Sequence, residues 1–139
     1  MYNKRSINAY KSQSLEAELS VADPHRIIQL LMQGLLERLA LTKGAIERRD
    51  LEEKADKVSK SMAIIMGLQD SLDFKYDDIS KQLYESYEFM KQRLLDASRD
   101  MDPEPVQEII DMMLVIKSAW DAIPLEEREK AYAMRQENR

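Results

Sequence analysis

Few residues in this chain have the side chains and the spacing for covalent or metal chemistry. His25 is the single histidine, and cysteine is absent from the 139 residues. Two-histidine metal sites, thiolate ligands, disulfides and thiol nucleophiles are thereby removed together, and no histidine relay has a partner to spare. At the second position of a helix start, His25 reads as a solvated end residue. Carboxylates remain. Asp100, Asp102 and Glu104 crowd one turn, yet the glycine-bearing loop of an EF-hand is missing, so they read as helix caps and solvated turn charges. The Glu-x-x-His spacing of di-metal helical bundles is absent too. No glycine-rich phosphate loop occurs, and no Ser, Lys or Tyr has an activating partner visible in the sequence. The expectation is a protein that is not an enzyme and uses no metal and no cofactor.

The chemistry these residues do support is apolar contact. A helix with one buried face needs about three to four apolar residues per two turns. The first helical stretch instead carries Ile27, Ile28, Leu30, Leu31, Met32, Leu35, Leu36, Leu39, Ala40 and Leu41 and is apolar almost all round. Further on, Met62-Ala63-Ile64-Ile65-Met66-Gly67-Leu68 adds Ile64 and Met66 to a stripe already complete, and Ile110, Met112 and Val115 repeat the pattern. Two readings are open. These helices lie deep in a bundle, or their surplus forms a groove for partner helices. Nine methionines suit the second, because flexible thioethers fit apolar partners of variable shape, but they suit a core as well.

The elements that hold these residues are helices. Only three glycines and four prolines punctuate the chain, and no useful length alternates as a strand does. Asp23 is an N-cap and Pro24 pre-sets the first helical φ, which predicts a helix from Pro24 to about Arg48. Asp50 caps a second, with the stripe Leu51, Ala55, Val58, Met62, Ile65, Leu68 and Leu72. Asp77 or Asp78 opens a third, with Ile79, Leu83, Tyr87, Met90 and Leu94 on one face, ending before Met101-Asp102-Pro103. Pro103 and Pro105 mark the start of a fourth that carries Val106, Ile109, Met113, Ile116 and Trp120 and stops at Pro124. Each long helix spans roughly 30 Å, and the short connections make neighbours antiparallel. The predicted fold is all-α, an antiparallel up-and-down four-helix bundle whose stability rests on stripe residues such as Ile65, Leu68, Leu94 and Trp120. The expected organisation is a semi-ordered N-terminal arm over 1–22, the bundle over 23–124 and a short, charged C-terminal tail helix over 125–139. The net charge of −5 is spread over both signs, which excludes the basic patch a nucleic acid needs. A polar N-terminus and the lack of any apolar run of membrane length argue for no membrane insertion, and the missing cysteines fit a reducing, cytoplasmic location.

Taken together, Tyr10, Ala22-Asp23-Pro24, Gly34, Ala45-Ile46-Glu47-Arg48, Leu68 with Ser71-Leu72-Asp73, Leu83-Tyr84, Arg93-Leu94-Leu95-Asp96-Ala97 and Trp120 resemble the FliS family of flagellin export chaperones. The resemblance runs from Ile7 to about Ala122. One departure stands out: the family usually has Leu-Tyr-Asp-Gly where this chain reads Leu31-Met32-Gln33-Gly34, so a thioether replaces the tyrosine. The resemblance implies a cytoplasmic chaperone that binds the disordered C-terminal region of flagellin, prevents premature polymerisation, and presents this client to the cytoplasmic domain of the flagellar export gate. A disordered amphipathic client gains helix by laying apolar faces into grooves of a bundle, which offsets its ordering entropy. On this reading Ile64, Leu68, Leu72, Met112 and Val115 are the client-binding residues. Ile7 and Tyr10 are three apart and share a face if that stretch is helical. By the residues alone they either pack on their own bundle or anchor in a partner's small pocket; the resemblance implies the second, as the export-gate docking pair. The free chain is expected to be a monomer or weak homodimer. The alternative is a self-associating structural or assembly bundle with no flagellin client.

Overall fold

The computed structural model describes residues 24–72 and 79–137, and every regular element among them is an α-helix: α1 (Pro24–Glu47), α2 (Leu51–Asp70), α3 (Ile79–Asp100), α4 (Glu104–Asp121) and α5 (Leu125–Glu137). The expected all-α class is the one found. The chain divides into two compact units, Ile28–Ala122 and the flanking Met1–Ile27 with Ile123–Arg139, of which 24–27 and 123–137 are described. The arm residues Ile7 and Tyr10 and the expected cap at Asp77 or Asp78 lie outside the described residues.

Two of the bundle's turns are built alike. At the end of α1 the amide of Asp50 donates to the carbonyl of Ala45 at 2.9 Å and that of Arg49 to Ile46 at 3.0 Å, with Arg49 left-handed at φ 57°. This is a Schellman closure without the usual glycine. Asp50 then caps α2, its carboxylate accepting from the Glu53 amide at 3.1 Å. At the end of α3 the amide of Asp102 returns to the carbonyl of Ala97 at 3.1 Å, with Met101 at φ 52°. Asp102 Oδ1 accepts from the Glu104 amide at 3.0 Å, while the N-cap position of α4 is Pro103, which has no side-chain cap. Each turn thus closes with three residues between its two helices.

Side-chain ties fix the order of the helices in the Ile28–Ala122 unit. Lys43 donates to Gln107 at 2.9 Å and Gln29 to Asp121 at 2.6 Å, so α1 and α4 run antiparallel. Lys54 Nζ donates to the Ser98 carbonyl at 2.9 Å and Gln69 to the Glu88 carboxylate at 2.8 Å, so α2 and α3 do the same. Arg93 on α3 meets Glu108 on α4 at 2.8 Å. Between α1 and α2 the hydroxyls of Thr42 and Ser61 lie 3.4 Å apart, fully buried, and the Thr42 hydroxyl also donates to the Arg38 carbonyl at 2.7 Å. The circuit is that of an up-and-down bundle.

The stripes turn inward over most of their length. Leu35, Leu39, Ile65, Leu68, Tyr87, Met90, Leu94, Val106, Ile109 and Met113 form one buried cluster, with Ile28, Met62, Leu72, Leu83, Ile116 and Trp120 packed against it. Of the four stability residues expected from the sequence, Ile65, Leu68 and Leu94 are buried, while Trp120 sits at the cluster's edge. Leu51, Ala55 and Ile79 belong to the stripes by spacing yet are exposed. Leu51 and Ile79 are the first residues of their helices, where period locates a face but does not decide its burial.

His25 overturns its sequence reading. It is buried, with Nδ1 lying 3.3 Å from Arg128 Nη1 of α5. A solvated helix end is the default only when nothing packs on it, and a helix 103 positions later leaves no trace in the local sequence. Arg128 Nε, buried beside this contact, has no hydrogen-bond partner among the described residues.

Candidate functional site

What this bundle presents to a partner is apolar surface in the shallow seams between helices. The α3–α4 seam is fixed by the Arg93–Glu108 tie. One turn before Arg93 is Phe89, and one turn after Glu108 is Met112. In an antiparallel pair these continue the same seam, followed by Ser86 and Val115. Phe89 is 49% exposed and Val115 is 71% exposed, while Met112 is half-buried with its other side on the core. A second strip lies along α2–α3, where Gln69 donates to the Tyr84 carbonyl at 3.3 Å. Met66, Tyr84 and Leu95 there are each about half exposed. On α1–α2, a Cβ added to Gly34 would stand 3.8 Å from Ile64 Cδ1, so half-buried Ile64 faces that seam.

The five residues expected to bind a client therefore do not share one face. Met112 and Val115 are brought together on α3–α4. Ile64 belongs to α1–α2, and Leu72 is half-buried just beyond the C-terminus of α2. Leu68 is 1% exposed within the core and supports the surface from beneath. Tyr84, Phe89, Leu95 and Leu114 were not among the expected residues, although each is 41% to 50% exposed. The signal existed for three of them. Tyr84, Phe89 and Leu95 are apolar residues outside the α3 stripe, the same surplus that marks Ile64 on α2 and Val115 on α4.

Charge lies at the seam edges. Arg93 is shared between Glu108 at 2.8 Å and Asp96 at 3.1 Å, and its hydrogen bond holds the Glu108 carboxyl below the ordinary glutamate range. On α3, Lys91 and Gln69 likewise lower Glu88. Exposed pairs of this kind contribute little to stability and mainly set the register of neighbouring helices. Among the described residues no group of three or more His, Asp or Glu is placed to hold a metal ion, and no helix is long and apolar enough to cross a membrane.

Comparison with known proteins identifies the family. The family described as "Flagellar protein FliS" matches residues 6–127. The chain belongs to the FliS family. Flagellar secretion chaperone FliSB of Pseudomonas aeruginosa is 41% identical over 124 residues, which is 88% of this chain and 98% of that protein. Flagellar secretion chaperone FliS of Vibrio cholerae is 38% identical over 87% of this chain and 90% of its own length. The Salmonella typhimurium FliS is 33% identical over 88% and 93%, respectively. Membership of FliS makes this chain a flagellar secretion chaperone, a role without catalysis. The match begins at residue 6 and so takes in Ile7 and Tyr10.

Proposed function

We propose that this chain binds the disordered C-terminal region of flagellin in the cytoplasm, keeps it from polymerising early, and presents it to the cytoplasmic domain of the flagellar export gate. The observation that carries this reading is apolar surface left over once the core is complete. Phe89, Met112 and Val115 line one seam, and Met66, Tyr84 and Leu95 another. A client that is disordered alone gains helix by placing its apolar faces along such seams, and wrapping more than one seam gives tight binding without nucleotide hydrolysis. Met112 and Val115 touch the client directly, Ile64 and Leu72 contribute from the seam edges, and Leu68 holds α2 in place below them. Ile7 and Tyr10 dock to the gate.

The decisive experiment is calorimetric titration of the full chain with the C-terminal peptide of its cognate flagellin, alongside circular dichroism. The expected result is one client per chain, a gain in helix, and a negative heat-capacity change from apolar burial. Absence of heat and of co-elution overturns the reading. A chain that keeps its own oligomer in the presence of flagellin supports the self-associating bundle instead.

A further inference from the structure

The α3–α4 seam differs from the other apolar strip in its charge. Its apolar floor is Phe89, Met112 and Val115, and carboxylates rim it. Glu85 stands one turn before Phe89, and Asp111 one turn before Val115. Asp96 and Glu108 flank the same line. Of the nearby cations, Arg93 is engaged with Glu108 and Asp96 and Arg99 with Asp100 at 2.9 Å, while Lys81, one turn before Glu85, pairs with no carboxylate among the described residues. Asp111 accepts only from the side-chain amide of Gln107, at 2.9 Å, and neither it nor Glu85 forms an ion pair among the described residues. On α2–α3, by contrast, Glu88 is matched by Lys91 at 2.6 Å. The α3–α4 strip thus carries four carboxylates, Glu85, Asp96, Glu108 and Asp111, against two cations, Arg93 and Lys81.

Resting on the chaperone reading above, we infer that the α3–α4 seam selects client helices whose apolar stripe is flanked by Lys or Arg. The apolar stripe fills the strip over Phe89, Met112 and Val115, and the basic flanks meet Glu85 and Asp111, which form no ion pair among the described residues. Complementarity of this kind acts chiefly on recognition and association rate, and like charges at the rim reject an acidic helix of equal apolarity. The seam thus gives one segment of a long client a fixed place and direction on a bundle that has several apolar strips.

The test uses the full chain and two designed peptides with one apolar stripe at helical spacing, flanked by Lys in one and by Glu in the other. Each carries a central photo-crosslinker. The Lys-flanked peptide should bind roughly tenfold or more tightly at low salt, lose that advantage as salt rises, and crosslink within Phe89–Val115 of the α3–α4 seam. Changing Glu85→Gln together with Asp111→Asn should weaken it roughly three- to tenfold with helix content unchanged, since neither carboxylate ties two helices together. Equal binding of the two peptides, crosslinks that map to α2–α3, or a homodimer that the peptide does not displace overturns the inference. Titration of the flagellin C-terminal peptide on the same preparation separates the outcomes. A chain that binds flagellin but does not discriminate between the model peptides loses only the seam assignment, whereas one that ignores flagellin loses the client.

Discussion

Arg49 holds a left-handed backbone at φ 57° that its side chain makes costly, and its conformation is imposed by the closure that lets Asp50 begin α2 at once. A non-glycine residue there costs about 1–2 kcal/mol relative to the right-handed region. Arg49→Gly should therefore raise stability by roughly 0.5–1 kcal/mol, because the gain at the turn exceeds the extra entropy of glycine in the unfolded chain. Urea unfolding checks this, and an unchanged or lowered midpoint would show that Arg49 contributes contacts that outweigh its backbone. Met101, at φ 52°, should not behave alike, since its side chain packs on the core and glycine would forfeit that contact. Tyr87 makes a different prediction. Burial pushes its hydroxyl from 10.0 up to about 12, so the folded state keeps the proton that the unfolded chain releases. Its contribution is complete below pH 10 and is lost as pH rises through about 12, a change of roughly 2–3 kcal/mol by linkage. Alkaline unfolding of the wild type compared with Tyr87→Phe should isolate that loss, because the other tyrosines and the lysines titrate in both.

At the scale of elements, how much was legible depended on what lay across from each helix. Four long helices, the tail helix, the cap at Asp50 and the inward stripes all follow from local spacing, because period and capping are local properties. The exposed ends of the stripes at Leu51 and Ile79 did not follow, since burial needs a neighbour. Burial of His25 was hidden for the same reason, its contact being 103 positions away. The expected client residues show both cases. Val115 is surplus to its stripe and is exposed, while Leu68 is a stripe residue and is buried. Their variants should separate accordingly. Leu94→Ala or Leu68→Ala removes a fully buried side chain and should cost roughly 2–5 kcal/mol, the spread reflecting how far the core relaxes. Val115→Asp leaves the core untouched and should alter stability by less than about 0.5 kcal/mol while weakening flagellin binding. A Val115→Asp chain that unfolds, or one that binds the client normally, would show that this strip has been misjudged.

For the whole molecule, the proposed holding of a client and its proposed delivery are separable tasks, assigned to separate parts of the chain. The proposed client surface is spread over the bundle seams, whereas Ile7 and Tyr10 belong to the arm, outside the described residues but inside the family match. Two apolar residues three apart suit a small pocket on a partner and add little to a bundle whose core is already complete. Ile7→Ala combined with Tyr10→Ala should therefore leave helix content and flagellin affinity unchanged and weaken docking to the cytoplasmic domain of the export gate. Pull-down with the client already bound is the relevant assay, because the loaded chaperone is the species to be delivered. A segment tethered to the same chain competes with a client for any surface the two share. Deleting residues 1–22 should then speed client association in stopped-flow mixing, with dissociation little changed. Normal docking by the double variant would remove the gate role of Ile7 and Tyr10, and an unchanged or slower on-rate after deletion would remove the competition. Each result stands without the other, since the first reads a contact with the gate and the second a contact within the chain.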